Sequence, residues 1–247
     1  MDSAGPPVFL VPPGSIAPRA VITLDGPEGH HAAAVRRLRA GERADLSDGA
    51  GTLACCAVTS VGAGTVDLLV QSVTPVPAPS PSITVVQALP KGDRGELAVE
   101  MLTEVGVDTI VAWQAARSVT RWQGARGEKA LGKWRRTARE AAKQSRRGWI
   151  PSVTGPARLE DVRRLVSGAG CAVLLDATAA VPLSRLALPG TGSIVLVVGP
   201  EGGIAPDERG ALGAAGALEA RLGPTVLRTS TAGTAATAVL LTRSGRW

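Results

Sequence analysis

The stretch that decides the fold is Ile194-Val195-Leu196-Val197-Val198-Gly199-Pro200-Glu201-Gly202-Gly203, an apolar run that ends in a glycine-rich turn. A short β-branched run bounded by glycines is typical of a buried parallel strand. Ligands of open α/β sheets bind beyond the carboxyl ends of such strands, where glycine lets the backbone approach a ligand closely. We therefore predict a strand over 193–198 and a ligand-binding turn over 199–203.

A second turn of this kind is Leu222-Gly223-Pro224-Thr225-Val226-Leu227-Arg228-Thr229, which leads into a helical segment. Each turn carries one ionisable residue, Glu201 in the first and Arg228 in the second. The sequence has neither the dinucleotide fingerprint G-x-G-x-x-G nor the P-loop pattern. Two such turns predict one pocket built mostly from main chain, although glycine-rich turns without a ligand remain the alternative.

The residues of both turns resemble those of the bacterial 16S ribosomal RNA (uridine-N3) methyltransferases, a family of the SPOUT class of S-adenosylmethionine enzymes. The resemblance spans nearly the whole chain in the family's order. It rests on 198–203, 222–229 and Thr231-Ala232, and upstream on His30-His31, 36–39, Lys91, 104–107, Arg117-Ser118, Lys133-Trp134, Gln144-Ser145, Arg147 and Pro151. Four positions depart from the family's pattern, namely Met101, Ala116, Lys143 and Ser230.

The resemblance implies an α/β fold with a SPOUT-type parallel sheet and a C-terminal trefoil knot, preceded by a small PUA-like β-barrel domain. It also implies S-adenosyl-L-methionine as the cofactor and methylation of N3 of a specific uridine in 16S ribosomal RNA of the small ribosomal subunit. Two other functions stay open: a SPOUT methyltransferase that modifies a ribose 2′-oxygen or another base, and a non-catalytic RNA-binding assembly factor. A homodimer is implied as well, because SPOUT enzymes are commonly dimeric.

The chemistry of uridine N3 assigns roles to the two ionisable residues. N3 must lose its proton before it accepts a methyl group, and negative charge then spreads onto O2 and O4. Arg228 is the first candidate to stabilise that charge, with a structural ion pair or a phosphate contact as its alternative. Glu201 is the candidate that orients the substrate or receives the proton, with capping of the following turn as its alternative.

Recognition of the cofactor is expected to fall largely to main-chain groups of the two turns and of one neighbouring strand end. The predicted cofactor-binding residues are Leu175, Gly199, Pro200, Gly202, Gly203, Leu222, Gly223, Leu227 and Thr229.

Basic residues are concentrated in one segment of a chain whose net charge is +6. Residues 117–147 hold eleven basic and two acidic side chains, and such a segment repels itself unless a polyanion is near. Nucleic-acid phosphate is the expected partner. The predicted RNA-binding residues are His30, His31, Arg36, Arg37, Arg39, Lys91, Arg94, Arg117, Lys133, Arg136, Gln144 and Arg147.

His30 and His31 titrate near neutrality and so invite a catalytic interpretation. Their place in the N-terminal domain, just before several arginines, favours RNA contact or a structural role instead. Trp134 and Trp149 flank the basic segment, and we expect both to pack on the sheet rather than stack on bases.

A proline-dense joint at 75–82 predicts two domains, residues 1–76 and 77–247. For the first domain the sequence predicts one helix over 28–38 and short strands over 8–11, 20–24, 43–47, 51–61 and 65–73. The second alternates predicted strands (83–88, 109–114, 172–176, 193–198, 225–227) with predicted helices (95–105, 125–147, 181–186, 206–215, 231–243), which favours a parallel sheet covered on both faces.

Composition excludes several other classes of protein. Three cysteines, two of them adjacent, fit neither a disulfide framework nor a metal site. We expect no metal, a reducing cytoplasmic location, and no membrane partner, since no segment approaches the apolar length of a membrane span.

Overall fold

The computed structural model describes residues 5–247, so the first four residues of the predicted N-terminal domain lie outside the described part. Contacts between Cα atoms divide the chain into two compact units. Unit one comprises residues 1–78 and 142–150, and unit two comprises residues 79–141 and 151–247.

Unit one contains a five-stranded sheet in the order β1-β3-β4-β5-β2. Its strands are β1 (Val8–Leu10), β2 (Val21–Leu24), β3 (Arg43–Ser47), β4 (Thr52–Val61) and β5 (Val66–Pro75), which confirms all five predicted strands. β1 pairs with β3 in parallel, whereas the other pairs are antiparallel. Register shifts at Cys55/Cys56 and Val58/Ser60 interrupt the β4–β5 ladder, and such bulges bend a strand.

The predicted helix over 28–38 is shorter in the structure and changes its hydrogen-bonding pattern. Helix α1 (Gly26–His30) continues into a π-helical turn over His31–Val35. Arg37 follows with a φ of +54°, a left-handed conformation that ends the helical path.

Unit two contains a six-stranded sheet in the order β11-β9-β10-β6-β7-β8, and every adjacent pair is parallel. The strands are β6 (Ser82–Ala88), β7 (Thr109–Trp113), β8 (Ser152–Ala157), β9 (Cys171–Leu175), β10 (Ser193–Val198) and β11 (Leu218–Ala220). The helices are α2 (Arg94–Val105), α3 (Gly124–Gln144, whose end belongs to unit one), α4 (Leu159–Ser167), α5 (Pro206–Ala214) and α6 (Thr229–Arg243).

Successive residues along the central strands point to opposite faces of this sheet, and each face carries its own apolar core. On β6, Val85 packs into the core that includes Leu102 of α2 and Leu240 of α6. Its neighbour Val86 packs into the other core, with Val162 of α4 and Leu212 of α5. Covering on both faces explains why the β10 sequence is a continuous apolar run rather than an alternating one.

Several predictions about individual elements were wrong. Residues 225–227 form an irregular loop and not a strand, because the chain between β11 and α6 follows the ligand-binding edge without pairing. The helix predicted over 181–186 is reduced to a single 3₁₀ turn at Leu183–Arg185. β8, α4 and the short edge strand β11 were missed. No helix in the described part of the chain has the length and apolarity needed to cross a membrane.

Candidate functional site

The two glycine-rich turns lie at the carboxyl edge of the unit-two sheet and line one cavity of about 520 Å³. The first turn, 199–203, follows β10, and the second, 222–228, connects β11 to α6. A third wall comes from the end of β9 at 175–177. The volume lies within the range of small-molecule sites, roughly 300–1,000 Å³.

The first turn requires glycine at its start and at its end. A Cβ on Gly199 would lie 2.7 Å from Cγ1 of Ile204, a distance that real Cβ atoms essentially never show. Gly203 has a φ of +72°, and its N–H donates to the Pro200 carbonyl over 2.9 Å. The turn can therefore close only with glycine at these two positions.

The second turn ends where α6 begins. Arg228 is the N-cap residue of α6, and its carbonyl oxygen accepts hydrogen bonds from the N–H groups of Thr231 and Ala232. Beneath the turn, the fully buried side chain of Gln87 donates to the Thr229 carbonyl over 3.3 Å. The Gln87 Oε1 atom is buried without a hydrogen-bond partner.

Both predicted catalytic residues line the cavity. Oε1 of Glu201 accepts a hydrogen bond from the Lys91 N–H (3.3 Å) and lies 3.9 Å from the Arg94 guanidinium. The Arg228 side chain is exposed. An acidic and a basic side chain, one from each turn, thus line the same cavity.

Most of the predicted cofactor-binding residues come together here. Those that line the cavity are Leu175, Gly199, Pro200, Gly203, Leu222, Gly223, Leu227 and Thr229. Gly202 lies in the same turn but is not among the lining residues, and its carbonyl accepts a hydrogen bond from Arg117.

Asp176 is a cavity residue that the sequence interpretation did not select. Burial alone would raise the pKa of its carboxyl, but hydrogen bonds from Thr178 and the charge of Arg209 outweigh burial and lower that pKa. Asp176 is therefore a carboxylate near neutral pH, and carboxylate oxygens suit ribose hydroxyls. Its position directly after β9 was the available signal.

The predicted RNA-binding residues of unit two occupy two places. Lys91 and Arg117 lie in loops at the carboxyl edge of the sheet, Arg94 is the first residue of α2, and all three contact the first turn. Lys133 and Arg136 are exposed on α3, where Lys133 forms an ion pair with Glu96 at 3.1 Å. On the opposite face of α3, Trp134 is buried against Trp122, with ring centroids 4.9 Å apart, so its packing role is confirmed.

In unit one, His30 ends α1 and His31 begins the π-helical turn, and the three predicted arginines, Arg36, Arg37 and Arg39, follow that turn. Gln144 ends α3, and Arg147 lies beyond it. Arg36, Arg37 and Arg39 are all exposed, as is His30. His31 packs edge-on against the Phe9 ring at 5.9 Å. Gln144 is exposed, whereas Arg147 is half-buried and its carbonyl accepts a hydrogen bond from Ser47. Trp149 donates its indole N–H to the Val76 carbonyl rather than facing solvent freely.

Two of the four departures from the family's pattern have a structural explanation. Lys143 is 5% exposed, forms a 2.7 Å ion pair with Glu28 and lies 5.2 Å from the centre of the Phe9 ring. The Ala116 N–H donates to the buried carboxylate of Glu208 over 2.7 Å, a bond that needs no side chain at 116. Nothing in the structure explains Met101 or Ser230.

Among residues 5–247, no group of histidine, cysteine or carboxylate side chains could hold a metal ion.

A parallel sheet with a main-chain-lined cavity at its carboxyl edge defines an α/β protein with a cofactor-binding site. Comparison with known proteins narrows this class. A family model described as an RNA methyltransferase domain matches residues 77–241, and one described as an RNA methyltransferase PUA domain matches residues 24–71.

Named relatives agree with these matches. The ribosomal RNA small subunit methyltransferase E of Mycobacterium bovis is 49% identical over 232 residues, covering 92% of this chain and 88% of the relative. Its counterpart in Bacillus subtilis is 31% identical over 218 residues, covering 85% of each chain.

Solved structures agree as well. The structure of the methyltransferase E of Neisseria gonorrhoeae, bound to S-adenosyl methionine, matches with a TM-score of 0.85 and 26% identity, covering 96% of this chain and 98% of that one. A methyltransferase of Legionella pneumophila with bound cofactor matches with a TM-score of 0.84 and 27% identity, covering 97% and 98%.

The chain belongs to the family of ribosomal RNA small subunit methyltransferases E. The predicted SPOUT-type parallel sheet and PUA-like N-terminal domain are thereby confirmed. The trefoil knot stays a prediction.

Proposed function

We propose that this protein transfers the methyl group of S-adenosyl-L-methionine to N3 of a specific uridine in 16S ribosomal RNA of the small ribosomal subunit. The observation that carries the proposal is the convergence of both glycine-rich turns, with Glu201 and Arg228, on one cavity. Membership of the family supports it.

The residues of the cavity fit this cofactor. Glycines of both turns and apolar side chains line it, together with the charged residues Arg94, Asp176, Glu201, Arg221 and Arg228. Asp176 adds a carboxylate suited to ribose hydroxyls. We assign the holding of the cofactor to the lining residues of the two turns and of the β9 end, and Gly202 supports the turn from behind. The cofactor supplies an electrophilic methyl group on a sulfonium.

The chain's own residues then have three tasks. The rigid turns align the reacting atoms, and alignment removes translational and rotational freedom before the reaction. Glu201 receives the N3 proton, directly or through a water molecule. Arg228 stabilises the negative charge that develops on O2 and O4, an interaction stronger in the transition state than in the ground state.

RNA binding is assigned to both units. The exposed cations of α3 in unit two and the exposed arginines 36, 37 and 39 in unit one are proposed to contact phosphates. Residues 1–76 serve as the RNA-binding domain and residues 77–247 as the methyltransferase domain. We further propose that the protein is cytoplasmic and that it forms a homodimer. Sedimentation at several protein concentrations tests the oligomeric state.

Nucleoside mass spectrometry of small-subunit ribosomal RNA tests the proposed reaction. Deletion of the gene should remove 3-methyluridine, and complementation with the wild-type gene should restore it. Unchanged 3-methyluridine after deletion contradicts the proposal, and loss of a 2′-O-methyl nucleoside instead would assign the other methyl acceptor. Calorimetry with S-adenosylmethionine separates an enzyme from a non-catalytic assembly factor, which should not bind the cofactor.

A further inference from the structure

Three cationic residues surround the first turn on the side of β6 and β7. Lys91 donates its main-chain N–H to Glu201, and the Arg94 guanidinium lies 3.9 Å from the same carboxylate oxygen. The Arg117 guanidinium donates to the Gly202 carbonyl over 3.1 Å. All three residues therefore contact the turn whose other side lines the cofactor cavity.

Hydrogen bonds join the loops that carry Lys91 and Arg117. Thr120 donates its hydroxyl to the Pro90 carbonyl over 2.8 Å, which joins the loop after β7 to the loop after β6. Glu208, buried at the start of α5, accepts the Ala116 N–H over 2.7 Å and thereby joins the loop after β7 to the segment that follows the first turn. The loops that carry Lys91 and Arg117 are therefore hydrogen-bonded to each other and to the segment that follows the first turn.

A cleft beside the cofactor cavity is lined by Lys91, Gly92, Asp93, Arg94 and Leu97. Arg94 also lines the cofactor cavity, whereas Lys91 does not. The Lys91 ammonium has no ion-pair partner within residues 5–247. Arg117 borders the first turn through Gly202 but lines neither the cleft nor the cofactor cavity. Around the cleft and the first turn, three cations stand against two carboxylates, those of Glu201 and Asp93, and an added anion would relieve the remaining repulsion.

We propose that Lys91 and Arg94, which line this cleft, together with Arg117 beside the first turn, form a phosphate subsite for the acceptor nucleotide, and we call it the cationic cleft. The inference rests on the proposed function. When the base lies in the cavity near Glu201 and Arg228, the ribose separates it from its phosphate, which then falls in the adjoining cleft. Arginine binds phosphate oxygens through its planar donor fork, and lysine binds them as a point charge.

The cationic cleft has a different role from the basic face of α3, which is formed by the exposed residues Arg126, Lys129 and Arg136. Contacts along a helix face attract the RNA backbone as a whole and depend on salt. The cleft binds one phosphate at a defined position, so it positions the target nucleotide and distinguishes a nucleotide from a nucleoside.

The test compares uridine with uridine 5′-monophosphate as ligands of the full-length protein saturated with S-adenosylhomocysteine, titrated by NMR. We expect the wild type to bind the monophosphate about fivefold or more tightly than uridine, which corresponds to about 1 kcal/mol. In the double variant Lys91→Ala/Arg117→Ala this ratio should approach unity. Lys91→Arg should keep the ratio.

Arg164→Ala provides the matched control, because it removes an exposed cation of unit two, on α4, that lines neither cleft. Its phosphate preference should equal that of the wild type. Thermal melting and calorimetry with S-adenosylmethionine verify that each variant is folded. If the double variant is not folded, the single variant Lys91→Gln replaces it in the test.

Equal affinities of the wild type for the two ligands, no measurable binding of the monophosphate, or a preference that persists in the double variant each overturn the inference. Failure of the proposed function is a separate result. A protein that binds the cofactor and forms 3-methyluridine without a phosphate preference refutes the cationic cleft alone, whereas the absence of 3-methyluridine after complementation refutes the reaction.

Discussion

The side-chain amide of Gln87 donates a hydrogen bond to the Thr229 carbonyl over 3.3 Å and so joins strand β6 to the first residue of α6. Gln87 is fully buried, and Thr229 lines the cofactor cavity. A core residue on a neighbouring strand therefore supports the second turn from below.

Replacement of this amide should weaken cofactor binding. In Gln87→Leu the Thr229 carbonyl loses a buried donor, a change that costs about 1–3 kcal/mol, and the turn loosens. We expect the affinity for S-adenosylmethionine, measured by calorimetry, to fall about tenfold. Thr237→Val is the control, since Thr237 is equally buried in α6 but bonds only to Gly233 of its own helix. Unchanged affinity in Gln87→Leu would show that the amide serves stability alone.

Arg228 should matter for methyl transfer more than for cofactor affinity. Removal of one group that stabilises developing charge typically costs about 10²–10³ in kcat, so Arg228→Ala should lose that much in single-turnover methylation while the Kd for S-adenosylmethionine changes little. Arg163→Ala, which removes an exposed cation on α4 that does not line the cavity, should leave both quantities near the wild-type values. An equal loss of rate and affinity in Arg228→Ala would instead make it a structural arginine.

The basic face of α3 should determine the salt dependence of RNA binding. Arg126, Lys129 and Arg136 are exposed at spacings that place them on one helix face. The triple substitution to Gln should lower the slope of log K against log salt by roughly 0.7–0.9 for each phosphate contact removed. Substitution of Arg158, Arg163 and Arg164 to Gln changes the net charge equally but lies at α4, and its slope should match the wild type. A slope that stays unchanged in the α3 variant contradicts RNA contact by this face.

Asp176 should make stability depend on acid pH. Burial raises its pKa, but the Thr178 hydrogen bonds and Arg209 outweigh burial and hold it below the ordinary value of 3.8. A lowered pKa in the folded state means that the charged form stabilises the fold. This contribution is fully present above pH 3.8 and is lost as the pH falls through the lower folded-state pKa. The difference in unfolding free energy between wild type and Asp176→Asn, measured by urea denaturation, should therefore be constant near neutrality and shrink in that acid range. A difference independent of pH down to that range would assign the effect of the substitution to packing.

The C-terminal end of the chain is held by an ion pair of Arg246 with Asp108 at 2.6 Å, and both side chains are 14% exposed. Arg246 also donates to the carbonyls of Pro81 and Gly106. The substitution removes the positive charge beside a largely buried carboxylate, which keeps the Ile83 N–H as a hydrogen-bond donor. Because the buried negative charge then lacks its counter-charge, Arg246→Ala should cost about 3 kcal/mol in urea denaturation. The exposed pair of Arg163 with Glu160 supplies the contrast, since Arg163→Ala should cost less than about 1 kcal/mol. Similar losses in both variants would mean that the buried pair adds no special stability.

Patterns local to the chain were sufficient for much of the fold. The apolar run of β10 and the glycines after it predicted a buried parallel strand and a ligand-binding turn. Both features could be predicted because each depends on the types of a few consecutive residues. The same reasoning missed β11, which has only three residues, and assigned a strand to 225–227. A short edge strand exists only through its ladder with β9, and no local pattern encodes a partner.

The same distinction applies to the candidate site, where the sequence predicted some residues and only the structure identified others. The sequence selected Glu201, Arg228 and the glycines because the two turns are visible in it, and the resemblance of those turns to a known family implied the chemistry. Only the tertiary structure placed Asp176 in the cavity, Gln87 beneath Thr229, and Lys91, Arg94 and Arg117 around one turn. These relationships depend on the order of the strands in the sheet, which brings the ends of β6, β7, β9 and β10 to one edge although long stretches of chain separate them. Contacts of that kind arise from packing over the whole sheet, and the residues next to each position in the sequence carry no record of them.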